Sequence, residues 1–386
     1  MKVAILMPLA EQRGGAEQLL RLFLRHAPGA PDDWPLVFFE TGPLVDEARA
    51  LGFPVQVIRA GRLRQLVRYL HTVRRLARWF RQEGIALVLS WMGKAHLYGG
   101  VAARLAGVPA VWFQHGIPAQ DSWMDRWITR VPAVGVLACS EAAAAAQRRL
   151  RPVRPVAVVH PAAELTAFEP DRLPAPMEAR RQLGLPESGP LIGMVGRLQR
   201  WKGMHTLVQA MPRILERHPD ARAVIVGGRH ELEPDYEPWL RSLITRLGLQ
   251  DRVWLAGFQM NIPLWMQAMD VVVHASDREP FGIVVVEAMA LGKPVVAGAE
   301  GGPREIITEG VDGLLAPYED AEALARQILR YLDDPAFARR VGEAARRRAR
   351  DFSPEAFARR VMDVLRDFRE MPERIAPEAH EKRRAG

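Results

Sequence analysis

The stretch REPFGIVVVEAMA, residues 278–290, places two carboxylates, Glu279 and Glu287, eight positions apart around an apolar run. Its Pro-Phe-Gly turn predicts a helix that begins near Gly282, and the first backbone N–H groups of a helix have no partner within it. That helix end carries partial positive charge and suits a phosphate. Glu287 would lie about two turns beyond Glu279, roughly 12 Å along the axis. A ligand made of a sugar, a diphosphate and a ribose spans such a distance.

Glu287 is the more telling of the two acids. Two glutamates at this spacing on an ordinary surface helix are usually just solvated. Glu287, however, is embedded between Ile-Val-Val-Val and Ala-Met-Ala. A carboxylate in so apolar a run either lies exposed at its edge or pairs with a ligand. The segment therefore indicates a binding site.

Strand-like and helix-like runs alternate along the rest of the chain, and this alternation predicts the fold class. Continuously apolar strands such as 3–7 and 191–195 stand between helical patterns, which is typical of parallel sheets covered on both faces. A chain of 386 residues favours two domains over one. We therefore predict an α/β protein with two doubly wound, Rossmann-like domains that bind ligands at the carboxyl ends of their strands.

The domain boundaries are predicted from the same patterns. The first domain covers 1–170, a proline-rich linker covers 171–186, and the second domain covers 187–352. Ser353 and Pro354 are good start signals for a further helix over 353–370. Its apolar stripe consists of Phe357, Val361, Val364, Leu365 and Phe368. The charged remainder, 371–386, is predicted to be a flexible tail.

Two loops carry groups that suit phosphate. The second domain opens with GMVGRLQRWKG at 193–203, where a strand runs into a loop with two cations, Arg197 and Lys202. Arginine offers phosphate oxygens a planar fork and lysine a point charge. The first domain carries QRGGAE at 12–17 straight after its first strand. There Gly14 and Gly15 permit close backbone approach before a helix.

These three segments, in this order, resemble motifs of glycosyltransferase family 4, whose members are retaining enzymes with the GT-B fold. Segment 278–290 resembles the E-x7-E signature, and 196–203 resembles the G-R-L-x-x-x-K-G motif. The resemblance spans roughly 1–368 and implies two facing domains with an interdomain cleft, the last helix crossing back onto the first domain. It also implies a nucleoside-diphosphate sugar, UDP- or GDP-linked, as donor substrate, and no further cofactor.

The resemblance implies roles for individual residues. Arg197 and Lys202 would bind the diphosphate and stabilise it as a leaving group, Glu287 would bond the ribose hydroxyls, and Glu279 would touch the sugar. The expected catalytic residues are Glu279, Arg197, Lys202 and His115. The expected donor-binding residues are Gly14, Gly15, Arg197, Lys202, Gly257, Phe258, Glu279, Phe281, Gly282, Ile283, Val284 and Glu287.

Other matched positions lie in loops at strand ends. His115 ends a predicted strand and would lie near the transferred sugar, while Gly257 and Phe258 would border the nucleobase. The Gly-Gly-x-x-Glu stretch that ends at Glu305 is expected to be a turn and a helix start. His160 stands where the family usually has Asn-Gly, and no role is assigned to it.

The net charge of +8 is distributed unevenly. Eight arginines and no acid lie between Arg59 and Gln82, with apolar residues at three- and four-residue steps between them. This pattern predicts an amphipathic helix with a basic face, the Arg59–Arg81 segment. It is either a surface helix packed on a sheet or a patch that rests on an anionic membrane. No RNA- or DNA-binding motif accompanies it, so no nucleic acid partner is expected.

Other sequence features limit the classes of protein to which this chain can belong. The single cysteine, Cys139, excludes a disulfide framework and fits a reducing cytoplasm. No Asp-x-Asp and no His-x-x-x-His occurs, so no metal site is predicted. No apolar stretch approaches the ~20 residues that span a bilayer. We predict a cytoplasmic protein, peripheral on the inner face of the cell membrane if the basic helix binds lipid.

The predicted function is transfer of a sugar, with retention and without metal, to an acceptor hydroxyl on a glycan, a lipid-linked molecule or a small molecule. A GT-B nucleotide-sugar epimerase or hydrolase, which would cleave the same donor, is an alternative. A basic nucleic-acid-binding protein is an alternative of a different class that no motif supports.

Overall fold

The structure, a computed structural model, describes residues 1–11, 14–61, 63–151 and 154–370. Within these ranges thirteen strands form two sheets in which neighbouring strands are parallel. The predicted tail at 371–386 lies outside the described residues, as do Gln12 and Arg13 of the glycine loop and Arg62 of the basic segment. By its internal contacts the chain divides into two compact units.

The first unit comprises Met1–Ala138, Ala146–Val159 and the chain from Ala358 onward. Its strands are β1 (Val3–Met7), β2 (Leu36–Phe38), β3 (Val55–Val57), β4 (Leu87–Ser90), β5 (Ala110–Gln114), β6 (Gly135–Ala138) and β7 (Val156–Val158). Its helices are α1 (Gly15–His26), α2 (Pro43–Ala50), α3 (Leu66–Gln82), α4 (Gly93–Ala106), α5 (Trp123–Arg130) and the second half of α6 (Glu141–Leu150).

The strand order of this sheet is β3-β2-β1-β4-β5-β6-β7. The order reverses at β1, which is the topological switch point of a doubly wound sheet. All five residues of β1 are buried, as expected for a central parallel strand with helices on both faces. The largest fully buried side chains include Trp34, Trp91 and Trp112, so large aromatic rings fill much of this core.

The second unit comprises Cys139–Ala145 and His160–Phe357. Its strands are β8 (Leu191–Val195), β9 (Arg222–Val226), β10 (Val253–Gly257), β11 (Val271–His274), β12 (Val295–Gly298) and β13 (Leu314–Ala316), in the sheet order β10-β9-β8-β11-β12-β13. Its helices are α7 (Pro176–Gln182), α8 (Met204–Leu215), α9 (Tyr236–Arg246), α10 (Ile262–Ala268), α11 (Ile283–Ala290), α12 (Pro303–Ile306), α13 (Ala321–Asp333) and α14 (Pro335–Ala349). This sheet reverses at β8, so it too is doubly wound.

The segment predicted as a linker, 171–186, contains α7 and is packed against the second unit. Arg180 is 4% exposed and lies 2.6 Å from Asp270, and its Nε also donates to the carbonyl of Ala268. Ala179 is fully buried beside it. Pro170 and Pro176, two of the three prolines that suggested a linker, begin short helices here, because proline is well tolerated in the first helical turn.

The last described helix, α15 (Pro354–Glu370), begins where the sequence predicted. Ser353 Oγ accepts a hydrogen bond from the Ala356 N–H and so caps the helix. From Ala358 on, the helix belongs to the first unit. There the Phe368 ring packs against Gly135, the first residue of β6. A Cβ on Gly135 would lie 2.5 Å from that ring, which is too close, so the helix can pack here only because the residue is glycine.

Helix α3 corresponds to the basic segment and has two different halves. Its C-terminal half packs into the first unit through Val73, Leu76 and Phe80, which are buried. Its N-terminal half leaves Leu66 65% exposed and Val67 83% exposed, next to exposed arginines. The predicted packing on a sheet therefore holds for only half of the apolar stripe. In the described part of the chain, no helix is both long and apolar enough to cross a membrane.

Candidate active site

Arg197 stands in the loop after β8, at the carboxyl edge of the second sheet. It is exposed, and within the described residues its guanidinium forms no ion pair and no side-chain hydrogen bond. The loop rests on Gly227, because a Cβ there would lie 1.8 Å from the carbonyl oxygen of Gly196. Gly227 follows β9 and was not singled out from the sequence. It allows the two strand ends to approach and so fixes the position of Arg197.

Lys202 is held against the next strand end. Gly203 has φ of 74°, and a Cβ there would lie 2.1 Å from the Ala275 carbonyl oxygen. The glycine of the Lys-Gly pair is therefore required both by its left-handed conformation and by this contact. The Asp277 N–H donates to the Trp201 carbonyl at 2.7 Å and closes the same junction. As a result the lysine reaches the residues that follow β11.

Lys202, Glu279 and His274 form one cluster. Lys202 Nζ lies 2.5 Å from Glu279 Oε2, and His274 Nε2 lies 3.2 Å from the same oxygen. Burial by itself would raise the pKa of Glu279, but the hydrogen bond from His274 and the charge of Lys202 lower that pKa to about 2. Glu279 is therefore ionised at neutral pH. His274, the last residue of β11, was not predicted from the sequence, although its place at a strand end could have suggested it.

The backbone around Glu279 is under strain and is held from outside. Arg278 has φ of 38°, which is uncommon for a residue with a side chain and costs on the order of 1–3 kcal/mol. The Gly302 N–H donates to the Glu279 carbonyl at 2.8 Å, and a Cβ on Gly301 would lie 2.3 Å from that oxygen. The glycine pair therefore supports the acidic loop directly, which is more than the turn expected from the sequence.

Helix α11 begins immediately after Gly282, whose φ of 105° requires glycine. The first amides of this helix, at Ile283 and Val284, are those that a helix leaves unpaired. Because the helix covers only the second half of the E-x7-E segment, the predicted 12 Å between the acids does not apply. Glu287 lies four residues beyond Ile283, or ~6 Å along the axis.

Glu287 lacks a partner. Within the described residues its carboxylate makes no hydrogen bond and no ion pair. Burial raises its pKa to about 7. The residue is half-buried, and a carboxylate that is largely removed from water without a partner is destabilising unless a ligand supplies hydrogen bonds. Its oxygens therefore remain available to accept hydrogen bonds.

Two of the aromatic residues expected to bind the donor differ in accessibility. Phe258, which follows Gly257 at the end of β10, is 77% exposed and open to a ligand. Phe281 is instead 4% exposed, with its ring stacked on His160 at 5.6 Å and in edge contact with Phe352 at 5.5 Å. The covered ring supports the loop, so the donor contact predicted for Phe281 would use its backbone.

His160 and Glu305 also have a defined place in the second unit. His160 Nε2 lies 3.0 Å from Glu305 Oε2. The Glu305 carboxylate accepts hydrogen bonds from the N–H groups of Glu141 and Ala142, at 2.7 and 3.0 Å. Burial would raise the pKa of Glu305, but these hydrogen bonds lower it. The Glu305 carboxylate therefore holds the start of α6, and His160 links it to Phe281.

The remaining expected residues belong to the first unit. Gly14 is the N-cap of α1 and Gly15 its first residue, and a Cβ on Gly14 would meet only a side-chain oxygen at 3.7 Å. Packing within the unit therefore does not require glycine at position 14. His115 lies just beyond β5 with its ring 4.2 Å from that of Phe113, and burial lowers its pKa to about 4. Its Nε2 is buried without a partner among the described residues.

The elements thus position two sets of side chains, one in each unit. In the second unit, the site residues lie at the carboxyl ends of β8, β10 and β11 and at the start of α11. They are the cations Arg197 and Lys202, the acids Glu279 and Glu287, and the ring of Phe258. Parallel strands make this convergence automatic, because their carboxyl ends share one edge. Among the described residues, no three His, Cys, Asp or Glu side chains are grouped so that they could hold a metal ion.

Comparison with known families agrees with this arrangement. Residues 13–166 match the model described as Glycosyltransferase Family 4, and residues 177–348 match the model described as Glycosyl transferases group 1. A Corynebacterium urealyticum protein named D-inositol 3-phosphate glycosyltransferase is 37% identical over 58% of this chain and 54% of its own length. The chain therefore spans about half the length of that relative. A Streptomyces avermitilis protein of the same name is 30% identical over 78% of this chain and 69% of its own length.

Among solved structures, HepE of Anabaena in complex with UDP is similar over 95% of this chain and 100% of its own, with 28% identity and a TM-score of 0.83. The same protein in complex with UDP-glucose gives a TM-score of 0.79. These similarities confirm the fold class predicted from the sequence. With both family models matched in chain order, the chain belongs to glycosyltransferase family 4 and has the GT-B fold.

Proposed function

We propose that this chain transfers a sugar from a UDP-linked donor to an acceptor hydroxyl, with retention of configuration at the anomeric carbon and without a metal ion. The observation that carries the proposal is the group of residues at the carboxyl edge of the second sheet. Two cations and a helix start lie beside one ionised and one unpaired carboxylate there. The similarity to HepE, which was crystallised with UDP and UDP-glucose, supports UDP as the nucleotide.

The diphosphate would lie between Arg197, Lys202 and the start of α11. Arg197 has no competing carboxylate within the described residues, so its fork is available for phosphate oxygens. Lys202 already neutralises Glu279 and would be shared with the diphosphate when the donor binds. Together these groups would stabilise the negative charge that grows on the leaving phosphate, which is electrostatic catalysis by fixed donors.

The nucleoside would bind beside Glu287 and Phe258. Ribose hydroxyls would donate to the Glu287 carboxylate, and those hydrogen bonds favour its ionised form. Because burial holds its pKa at about 7, donor binding should lower that pKa and release a proton. The exposed Phe258 ring, 77% accessible, offers an aromatic face to the base.

The chemical step is a displacement on one face of the sugar. The bond between the anomeric carbon and the phosphate oxygen breaks with its electron pair on the phosphate, and the acceptor oxygen forms the new bond on the same face. The acceptor proton passes to a leaving phosphate oxygen. Glu279, kept ionised by His274 and Lys202, would orient the sugar hydroxyls. In the first unit, burial keeps His115 a neutral imidazole.

The acceptor is proposed only as a class. The curated relatives are named for transfer to a phosphorylated polyol, and this supports small hydroxylated molecules beside glycans and lipid-linked acceptors. An epimerase or hydrolase that uses the same donor is the alternative. Incubation with UDP-glucose alone separates them, because an epimerase or hydrolase would consume the donor without acceptor.

A thermal-shift screen against UDP, GDP and ADP tests the donor assignment. UDP should increase the free energy of unfolding by RT ln(1 + [L]/Kd), ~2.7 kcal/mol at a hundredfold excess over Kd, and so raise the melting temperature. A shift with GDP or ADP alone would overturn the choice of nucleotide. No shift with any of them, or with their sugars, would contradict the proposed function.

We also propose that α3 rests on an anionic membrane surface. Leu66 and Val67 are exposed beside Arg64 and Arg68, which combines apolar side chains that can enter a lipid interface with charges that attract its headgroups. Vesicles that contain phosphatidylglycerol should sediment the protein, and vesicles of phosphatidylcholine alone should not.

Serine at two exposed apolar positions tests this membrane contact. The variant Leu66→Ser/Val67→Ser should lose sedimentation with anionic vesicles. Leu232→Ser serves as the matched control, because Leu232 is also exposed but lies in the second unit. Equal sedimentation of wild type and Leu66→Ser/Val67→Ser would end the membrane proposal for α3.

A further inference from the structure

An open cavity of about 570 Å³ lies in the first unit, between α5 and the C-terminal end of α6. Its lining includes Arg126, Arg130, Arg149, Arg151, Gln120 and Thr129. We propose that this cavity is a second anion site, separate from the donor site, and that it binds a phosphate ester. The proposal does not depend on the transfer reaction.

The charge of the lining points to an anion. Four of its residues are arginines, and none is Asp or Glu. Within the described part of the chain, none of these four guanidiniums forms an ion pair, whereas Arg21 pairs with Glu47 and Arg348 with Asp351 elsewhere. Like charges gathered around one cavity repel each other unless a counter-ion occupies it.

Two of the arginines are oriented by hydrogen bonds that use only some of their guanidinium N–H groups. Arg126 Nε donates to the Gln120 carbonyl at 2.9 Å, and Arg151 Nη1 donates to the Thr129 carbonyl at 3.3 Å. The other N–H groups of each guanidinium remain for a ligand, and a planar fork of this kind matches phosphate oxygens. The wall is therefore partly preorganised.

A further cation lies behind the cavity. Arg154 is 3% exposed and donates to the same Thr129 carbonyl at 2.7 Å. Burial, with the charge of Arg151, lowers the pKa of Arg154 to about 10, so it remains protonated at neutral pH. Thr129 Oγ1 accepts a hydrogen bond from Gln147 and keeps its own proton to donate.

Helix dipoles do not explain the cluster. Arginines in the last turn of a helix favourably meet its negative end, and this accounts for Arg130 in α5 and Arg149 in α6. Arg126 lies in the middle of α5, and Arg151 and Arg154 lie beyond the end of α6. The helix dipoles therefore do not account for the positive charge of Arg126, Arg151 and Arg154, whereas a bound anion would.

The cavity lies far from the expected ligand edge of its own sheet. It is lined by the C-terminal turns of α5 and α6, which lead into β6 and β7, so it borders the amino ends of these strands. His115 follows β5 at the opposite, carboxyl edge. The phosphate ester in this cavity is therefore not the group that would lie beside His115.

Two exposed tryptophans border the same surface. Trp123 and Trp127 are 67% and 61% exposed, and with Arg126 and Arg130 they share one face of α5 at positions i, i+3, i+4 and i+7. Tryptophan rings cover sugar rings and also occupy membrane interfaces, where an apolar body and a polar tip are both satisfied. The phosphate ester is thus either a soluble sugar or polyol phosphate or the headgroup of a phospholipid.

The test compares two pairs of exposed arginines in the first unit. Arg130→Gln/Arg149→Gln removes two charges from the cavity, and Arg359→Gln/Arg360→Gln removes two from α15. Glycerol 3-phosphate is titrated calorimetrically with saturating UDP present, which blocks the donor site. Wild type and the α15 variant should bind alike, and the cavity variant at least tenfold more weakly.

A second arm identifies the source of the phosphate. Sedimentation with phosphatidylglycerol vesicles should fall in the cavity variant relative to the α15 variant if the ligand is a lipid headgroup. A loss of glycerol 3-phosphate binding alone would identify a soluble ester. The proposal is overturned if neither ligand distinguishes the two variants, while unchanged melting temperatures show that both are folded.

Discussion

Arg197 and Lys202 should separate donor binding from folding, although both are assigned to the same diphosphate. Arg197 is exposed and has no ion-pair partner in the described residues, so Arg197→Gln removes nothing that holds the unliganded protein together. Its melting temperature should stay as in wild type. Loss of one charge-assisted hydrogen-bonding group costs ~1.5–3 kcal/mol of binding, which weakens UDP about ten- to hundredfold.

Lys202→Met should affect both properties. It leaves the Glu279 carboxylate, 2.5 Å from the missing ammonium, with His274 as its remaining partner. Breaking a buried pair costs ~3–5 kcal/mol, and because neither side chain is fully covered we expect about 2 kcal/mol here. The melting temperature should then fall by about 4–8 °C. UDP affinity should fall as it does in Arg197→Gln.

Calorimetric titration with UDP and differential scanning calorimetry without it measure the two effects. Arg246→Gln is the matched control, because Arg246 is exposed on α9 and its loss reports only the change in net charge. The reasoning is refuted if Arg197→Gln destabilises the unliganded protein as much as Lys202→Met does. It is equally refuted if neither variant binds UDP more weakly than Arg246→Gln.

Three further predictions concern His96 in the first unit and Gly227 and His274 in the second. Burial, with the charge of Arg154, lowers the pKa of His96 from 6.5 to about 3, so its contribution to stability is present above about pH 6.5 and is lost as the pH falls towards 3. The pKa of His115 in the same unit is lowered to about 4, so urea unfolding should show the first unit losing about 4 kcal/mol between pH 7 and pH 5, and His96→Leu should remove about half of that loss. Gly227→Ala places a Cβ 1.8 Å from a carbonyl oxygen, so thermal unfolding should show a loss of ~1–3 kcal/mol, and UDP should bind more weakly. His274→Ala leaves Glu279 less well oriented, so steady-state assays should show kcat for transfer falling on the order of tenfold while the KM for donor changes little.

Much of the architecture could be predicted because parallel strands have a strong sequence pattern. Buried runs such as Val3–Met7 and Leu191–Val195 were predicted directly, and their ends place Arg197 and Lys202 on one edge without further information. Helices such as α14, rich in alanine and arginine, were not predicted, because they lack a sharp apolar stripe. The linker prediction did not anticipate α7, because Pro170 and Pro176 begin short helices instead of interrupting structure.

The site was predicted less completely than the fold. Glu279 and Glu287 can be recognised from the sequence as acidic residues in an unusual pattern. The residues that hold them in place cannot be recognised in this way. Three residues support the site through contacts with other loops: Gly227 and Gly301 allow close backbone approach, and His274 contacts Glu279. The burial of Phe281 likewise depends on partners from distant segments. Such contacts exist only in three dimensions, so no local pattern announces them.

Titration of UDP onto wild type and Glu287→Ala, at about pH 8 where the Glu287 carboxylate is ionised, tests the central claim most directly. The wild type should bind UDP at a single saturable site, with little proton release at pH 8 because Glu287 is already ionised; at about pH 6, binding should release a proton as the pKa of Glu287 falls from about 7. Loss of the ribose hydrogen bonds should weaken binding by ~1.5–3 kcal/mol, or about ten- to hundredfold. If the wild type does not bind UDP, or if Glu287→Ala binds it equally well, the donor site is not at the start of α11.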